Sequence, residues 1–546
     1  MSGWNFAELW EQIAARFGDS PALIQGDRRL TWSETDARAN GLARYLLDAG
    51  AEHQDKVALY VYNCPEYIEG SYAAFKAGLV PLNTNYRYLD DELLYLWDNA
   101  DATAVIFHGT FTERIEAIRE KLPKVRNWLW IDDDTAGCPP WAIPYEDAAT
   151  PIAGPVVAPW GRSGDDILMI YTGGTTGMPK GVMWRQDDVI RAVCSTGNAL
   201  LSQDPQEVGG PVGAVAALDG PGAPGLPACP LMHGTGWLTA NIFLTQGGSV
   251  VCLQSRHLDV PELLDTVERE RVGALSIVGD TFARPIVETL DADPDRWDLS
   301  SLMIMTSSGV MWSEHYKKAL LAHHPGMFLV DSFSSSEALG MGQSISSAGA
   351  EERTAHFSLG AGATVFDDDG DPVEPGSGVR GRVAVPGHVP IGYYKDPEKS
   401  AATFITHDGV RYSMPGDYAT VEADGSITLL GRGSVCINTG GEKVFPEEVE
   451  EALKLHESVT DAVVVGVPDD KFGQAITAVI EPADASDGKM TLDEDALIAH
   501  VKEHLAHFKA PKRVLTIDTI GRAPNAKVDY KRLTAYALEE LGMADA

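Results

Sequence analysis

The chain has 546 residues, too many for one hydrophobic core, so two to four packed units are expected. Hydrophobic residues make up 44% and charged residues 22%, the balance of an ordinary globular protein rather than a disordered or fibrous one. A formal charge of −36 excludes nucleic acid and anionic membrane as partners, and any site for a polyanion then needs its own Lys, Arg, backbone N–H groups or metal ion.

Met1 to Asp19 has the pattern of an amphipathic helix. It lacks a basic region followed by an apolar run, so no signal peptide is expected, and no stretch reaches the roughly 18 apolar residues of a membrane span. The six cysteines are scattered, with no C-x-x-C pair, so neither a disulfide framework nor a zinc site is expected. A cytoplasmic location follows as the expectation. Short β-rich runs then alternate with helical patterns: Val57–Val61, Ala104–Phe107, Ile167–Tyr171, Ala274–Val278, Met303–Thr306 and Met327–Phe333. That alternation predicts α/β architecture with largely parallel sheets. Between Gln203 and Pro230 a run rich in Gly, Pro and Ala predicts a long surface loop without regular structure.

After Gly431-Arg432 the pattern changes to a small self-contained α+β unit. Pro446 opens a helix whose face carries Val449, Ala452, Leu453 and His456, strands are predicted at Ala462–Val467 and Ala475–Ile480, and Thr491-x-x-Glu494 predicts a capping box. The predicted organisation is a large domain over 1–431, a hinge at 432–435 and a small domain over 436–546.

The run Ile167–Tyr171 delivers into Thr172-Gly173-Gly174-Thr175-Thr176-Gly177-Met178-Pro179-Lys180-Gly181. Four glycines let the backbone bring N–H groups close to an anion, and three threonine hydroxyls and one ammonium add donors. The chemistry is that of a polyphosphate cradle. It is not a Walker A loop, because Pro179 stands where that motif needs Gly before its Lys.

This decapeptide resembles the signature loop of the adenylate-forming superfamily of acyl-CoA synthetases, peptide-synthetase adenylation domains and firefly luciferases, with Gly174 where Ser is commoner. The resemblance extends over essentially the whole chain. It implies a large adenylate-forming domain of mixed α/β subdomains with a small mobile α+β C-terminal domain, and ATP, Mg2+ and coenzyme A as the small molecules handled.

By that resemblance, Asp331-Ser332-Phe333-Ser334-Ser335-Ser336-Glu337 matches the aromatic-Gly-x-Thr-Glu element. Phe333 takes the place of the ring near adenine, Ser336 the hydroxyl and Glu337 the Mg2+ ligand, with Ser334 replacing a usual Gly. Ser308 and Gly309 fall in the segment lining the adenine and acyl pockets. Asp417, after Pro415-Gly416, stands where the ribose hydroxyls are held, and Arg432 on the ribose and α-phosphate side. Ser434 occupies the hinge position. Gly440, Gly441 and Lys443 belong to a turn that swings toward the large domain for thioester formation, and Phe508–Lys512 matches another small-domain segment. Lys527 closes a shortened Pro-x-x-Gly-Lys element, with Ala526 for Gly, and is implied as the catalytic lysine beside Glu337, Thr176 and His233.

His233 discriminates between substrate classes. Relatives that adenylate amino acids put Asp near this place to pair with the substrate ammonium, whereas acyl-CoA synthetases carry His or another uncharged residue. His233 and Trp237 are thereby assigned to the acyl and CoA channel, with Ala192–Asn198 and Met303–Met311 as further apolar or small lining. The wording Val182-Met183-Trp184-Arg185-Gln186 looks like a branch of bacterial acyl-CoA synthetases that includes ligases for steroid side chains and other bulky or long acids. The implied reaction joins a fatty or steroid side-chain carboxylic acid to CoA through an acyl-adenylate, releasing AMP and pyrophosphate. Transfer to a carrier-protein thiol and a luciferase-like oxygenase stay open as alternatives, a non-enzymatic binding module is disfavoured by the phosphate loop and Lys527, and the oligomeric state is open, with a homodimer among the options.

Overall fold

The computed structural model describes residues 3–172, 179–310, 312–349, 355–439, 442–469, 473–485, 488–489, 492–505, 507–523 and 526–543. Contacts divide the chain into two compact units, one of 1–352 with 385–413 and the other of 353–384 with 414–546. Residues 414–431 therefore belong with the C-terminal part of the chain.

The first unit contains two large sheets. One runs in the order Gly392–Tyr393, Lys180–Arg185, Ile167–Thr172, Val80–Asn83, Lys56–Tyr60, Ala102–His108, Asn127–Ile131 and Ile143–Pro144. The strands from Ile167–Thr172 to Asn127–Ile131 are parallel to one another. Val, Ile, Leu and Phe fill them because both faces are covered. The other sheet places Gly225–Pro227, Ala274–Ile277, Ile304–Ser308 and Phe328–Phe333 in parallel register. The N-terminal helix forms as expected, over Phe6–Phe17, with the Asn5 side chain accepting from the Glu8 N–H, and it buries Phe6, Leu9, Trp10 and Ile13.

The segment 203–230 corrects the sequence expectation of an unstructured loop. It holds a helix at Gly210–Ala216 and a wholly buried strand at Gly225–Pro227 between Val250–Cys252 and Ala274–Ile277. Glycine is there for packing: a Cβ at Gly225 would stand 2.1 Å from the Phe243 ring, so only a bare backbone lets the Gly234–Thr245 helix lie on this strand.

In the second unit, Asp417–Val421 pairs antiparallel with Ile427–Arg432. A C-terminal sheet of Glu442–Val444, Ile437–Thr439, Gly473–Pro482, Val459–Asp469 and Arg513–Thr516 carries the helices Pro446–Lys454, Glu494–His504 and Tyr530–Glu540. The capping expectation at Thr491 is corrected: Asp493 is the N-cap, its side chain accepting from the Ala496 N–H at 3.1 Å. Glu494 instead accepts from the Val514 N–H, and Thr491 falls outside the described residues.

Candidate active site

In the first unit the strand Ile167–Thr172 pairs antiparallel with Lys180–Arg185, and Thr172 stands opposite Lys180. The two ends of the phosphate loop are thus pinned side by side. Gly173, Gly174, Thr175, Thr176 and Gly177 themselves fall outside the described residues. Lys180 Nζ pairs with Asp396, whose carboxyl is held below its ordinary value chiefly by that ammonium, and lies 5.8 Å from the centre of the Tyr393 ring.

The segment bearing Glu337 is held from three sides. The indole N–H of fully buried Trp184 donates to the Ser336 carbonyl at 2.8 Å, and Ser413 Oγ donates to the Glu337 carbonyl at 2.6 Å. The Tyr393 hydroxyl donates to Glu337 Oε1 at 2.9 Å. Glu337 and Tyr393 are both buried. The candidate phosphate-loop lysine and the candidate metal carboxylate are therefore both neighbours of the Tyr393 side chain.

Parallel strands bring the candidate adenine-side residues together. Ser308 stands in register with Ser332, and Ser307 with Asp331. Asp331 is buried and accepts a 3.0 Å ion pair from Lys317, itself buried on the Glu314–His323 helix. Phe333, two residues on, shares the buried face of the same strand.

His233 immediately precedes the Gly234–Thr245 helix, its carbonyl accepting from the Trp237 N–H at 3.0 Å. Thr235 Oγ1 reaches the Ser308 carbonyl at 3.5 Å, and a Cβ on Gly234 would lie 3.6 Å from Ser336 Oγ. The His233 turn, Ser308–Gly309 and Ser336 thus converge. Gly309 has φ +101°, a conformation that favours glycine. Trp237 is buried on the side of Phe6 and Phe75, and together with His233, Met232, Tyr67 and Leu82 it lines a small cavity. Of the further lining expected at Met303–Met311, Met303 and Ile304 are exposed at the opposite end of the strand from Ser308, and Met311 falls outside the described residues.

Three residues that make positioning contacts in this unit were assigned no role by the sequence. Tyr393 and Ser413 lie 56 and 76 residues from Glu337. Asn83 donates to the carbonyls of Tyr171 at 3.0 Å and Met232 at 2.7 Å, and accepts from the Tyr171 N–H at 2.7 Å. Its one amide joins the strand entering the phosphate loop to the His233 turn. Asn83 ends the parallel strand Val80–Asn83, a run that is not among the strands predicted from the sequence.

In the second unit Asp417 and Arg432 stand opposite one another, with Arg432 Nε donating to Asp417 Oδ1 at 3.2 Å. Gly431 has φ +113°, and a Cβ there would stand 2.2 Å from Glu447 Oε2, so the Gly of Gly-Arg is fixed by a carboxylate packed against it. Burial, with Glu450 close by, pushes the Glu447 carboxyl up; N–H groups of Glu447 and Arg432 oppose the shift only in part.

Lys527 follows Ala526, which is buried at φ +56°. Ala523 N–H donates to the Lys527 carbonyl at 3.0 Å. Arg522 donates to the Ala526 carbonyl at 3.2 Å and is clamped by Asp461 through bonds of 2.6 and 2.8 Å. Gly440, Gly441 and the side chains of Ser434 and Lys443 fall outside the described residues.

The family described as AMP-binding enzyme matches residues 10–394, and the AMP-binding enzyme C-terminal domain matches residues 448–527. The medium/long-chain-fatty-acid–CoA/3-oxocholest-4-en-26-oate–CoA ligase of Mycolicibacterium smegmatis is 39% identical, covering 96% of this chain and 95% of the relative. The 3-oxocholest-4-en-26-oate–CoA ligase of Rhodococcus rhodochrous is 38% identical over 99% of this chain and 97% of the relative. Among solved structures, an anthranilate CoA ligase in complex with anthranoyl-AMP has TM-score 0.82 at 21% identity, covering 99% of each chain, and shares the fold.

Proposed function

Because this chain belongs to the AMP-binding enzyme family, we propose that it is an AMP-forming acid–thiol ligase that converts a fatty or steroid side-chain carboxylic acid, ATP and CoA into acyl-CoA, AMP and pyrophosphate. The observation that carries the reading is likeness at 38–39% identity along nearly the full length to ligases named for those acids. A carrier-protein thiol as acceptor has no such support.

In the first half-reaction the substrate carboxylate attacks the α-phosphorus of ATP and pyrophosphate leaves. Both reactants are anions, so positioning and charge neutralisation supply most of the catalysis. The 172–180 loop holds the outer phosphates, the strand ends at Ser308 and Phe333 border the adenine, Asp417 takes the ribose hydroxyls, and Lys527 bridges carboxylate and α-phosphate. Lys317 keeps Asp331 fixed beneath the adenine-side residues. In the second half-reaction the small domain turns about Ser434, Lys527 withdraws, and the CoA thiol gives up its proton and attacks the acyl carbonyl near His233, breaking the acyl–phosphate bond so that AMP leaves.

The donor set suits Mg2+. Glu337 offers a hard oxygen ligand, and no group of three or more His, Cys, Asp or Glu able to hold a metal occurs among the described residues. A single carboxylate with substrate phosphates and water is the way Mg2+ is commonly held beside a nucleotide. When bound, the ion neutralises charge on the phosphates. A cytoplasmic location is supported by six cysteines that are all free thiols. No helix among the described residues is long and apolar enough to cross a membrane.

The test is a panel of fatty, steroid side-chain, aromatic and amino acids assayed for ATP–pyrophosphate exchange, followed by CoA-dependent product analysis. The expected result is exchange with the apolar acids and release of AMP. Release of ADP, or exchange with amino acids alone, refutes the reading.

A further inference from the structure

We propose that Tyr393 is a positioning residue that fixes the Glu337 carboxylate for the metal ion accompanying the nucleotide, leaving Oε2 as the ligand oxygen; the inference rests on the metal role of Glu337 given above. The hydroxyl donates to Glu337 Oε1 at 2.9 Å, and both side chains are more than nine-tenths buried. A carboxylate so placed has one oxygen committed and the other to offer. Mg2+ demands near-octahedral geometry and tolerates a loosely held ligand poorly, so a donor that selects one carboxylate orientation acts directly on metal affinity.

The rest of the local structure holds Tyr393 for that task. Its strand, Gly392–Tyr393, pairs antiparallel with Met183 and Val182, next to the end of the phosphate loop. Its own N–H donates to Ser400 Oγ at 2.8 Å. The Glu337 backbone is independently held by Ser413, and that of Ser336 by Trp184, so the Tyr393 hydroxyl addresses the carboxylate orientation and not the course of the chain. Lys180 above the same ring places the phosphate-loop cation and the metal carboxylate about one side chain. The ring thereby sets the separation between two groups that must grip one triphosphate.

The experiment measures Mn2+ binding by electron paramagnetic resonance in complexes of the full-length protein with a non-hydrolysable ATP analogue. Tyr393→Phe is expected to weaken Mn2+ binding about 10-fold or more, as loss of an outer partner of a ligand does elsewhere. Affinity for the analogue without metal should stay unchanged, and excess Mg2+ should restore the adenylation rate, which it would not do for a folding defect. Tyr393→His, which keeps a ring N–H donor, should retain more metal affinity than Tyr393→Phe; the reverse order overturns the inference. Glu337→Gln separates the two levels of the argument. If Glu337→Gln weakens Mn2+ binding and Tyr393→Phe does not, the Tyr393 inference fails alone. If neither does, the metal role of Glu337 falls with it.

Discussion

Ala526 shows how a single residue next to a functional group can be read energetically. The family pattern has Gly before the lysine, and the chain keeps the positive φ, +56°, while supplying a methyl group. Left-handed backbone costs an L-residue roughly 1–2 kcal/mol. Against that, Ala in place of Gly limits the unfolded chain by about 0.4–1 kcal/mol, and the fully buried methyl contributes about 0.8 kcal/mol. The terms nearly cancel, so Ala526→Gly should change unfolding free energy by less than about 1 kcal/mol. Ala526→Val should not be tolerated: a β-branched residue is an outlier at this φ, and overpacking the buried site adds about 1–3 kcal/mol. Urea unfolding of both variants measures the contrast, and a Val variant as stable as the parent would contradict the strained-turn account. At this scale the motif residues were legible because each lies in a short run of recognisable chemistry. Tyr393 and Asn83 were not, nor was the positioning role of Trp184, because what defines each is a partner far away in the chain.

Elements were legible where periodicity is strong and misread where packing overrides propensity. The helix at Phe6–Phe17 and the strands around Ile167–Thr172 follow from hydrophobic pattern. Gly225–Pro227 looks like a breaker in sequence and is a buried strand, because Phe243 needs the space that a side chain would fill. The junction of Ile427–Arg432 with the Pro446–Lys454 helix carries a titratable consequence of the same kind of packing. Glu447 is raised above its ordinary 4.5 mainly by burial, then by Glu450. The native state holds its proton at pH values where the unfolded chain has lost it, so the raised group favours folding fully below 4.5 and loses that advantage as pH climbs to the raised value. Stability should therefore fall with pH across that window. Glu447→Gln removes the titration at nearly constant shape, so its urea midpoint should fall less between pH 5 and pH 8 than the parent's, each pKa unit being worth about 1.4 kcal/mol. Parallel pH dependences would show that Glu447 titrates as it does in the unfolded chain.

At the scale of the molecule, fold class and family were legible because ordered motifs span the whole chain, whereas the expected boundary at 431 was read from a change of pattern, and residues 353–384 and 414–431 pack with the C-terminal unit. Strands separated by long stretches of sequence, as Gly392–Tyr393 is from Lys180–Arg185, are invisible to such a reading. The two half-reactions make the sharpest whole-molecule test. On the proposed mechanism Lys527 and the CoA thiol act at the same acyl centre in turn, and a fixed arrangement would serve one of them badly. If Lys527 bridges the carboxylate and the α-phosphate as proposed, Lys527→Ala should slow adenylate formation about 10²–10³-fold, the loss typical of removing one electrostatic donor. Given preformed acyl-adenylate, the same variant should make thioester near the normal rate. Ser434→Pro acts on the turn itself: a fixed φ at the hinge holds one arrangement, so one half-reaction should survive while the other is lost. Timing both steps separately for each variant decides the matter. Equal slowing of the two steps by Lys527→Ala would make that lysine a structural residue, and equal slowing by Ser434→Pro would place the turning point elsewhere in the chain.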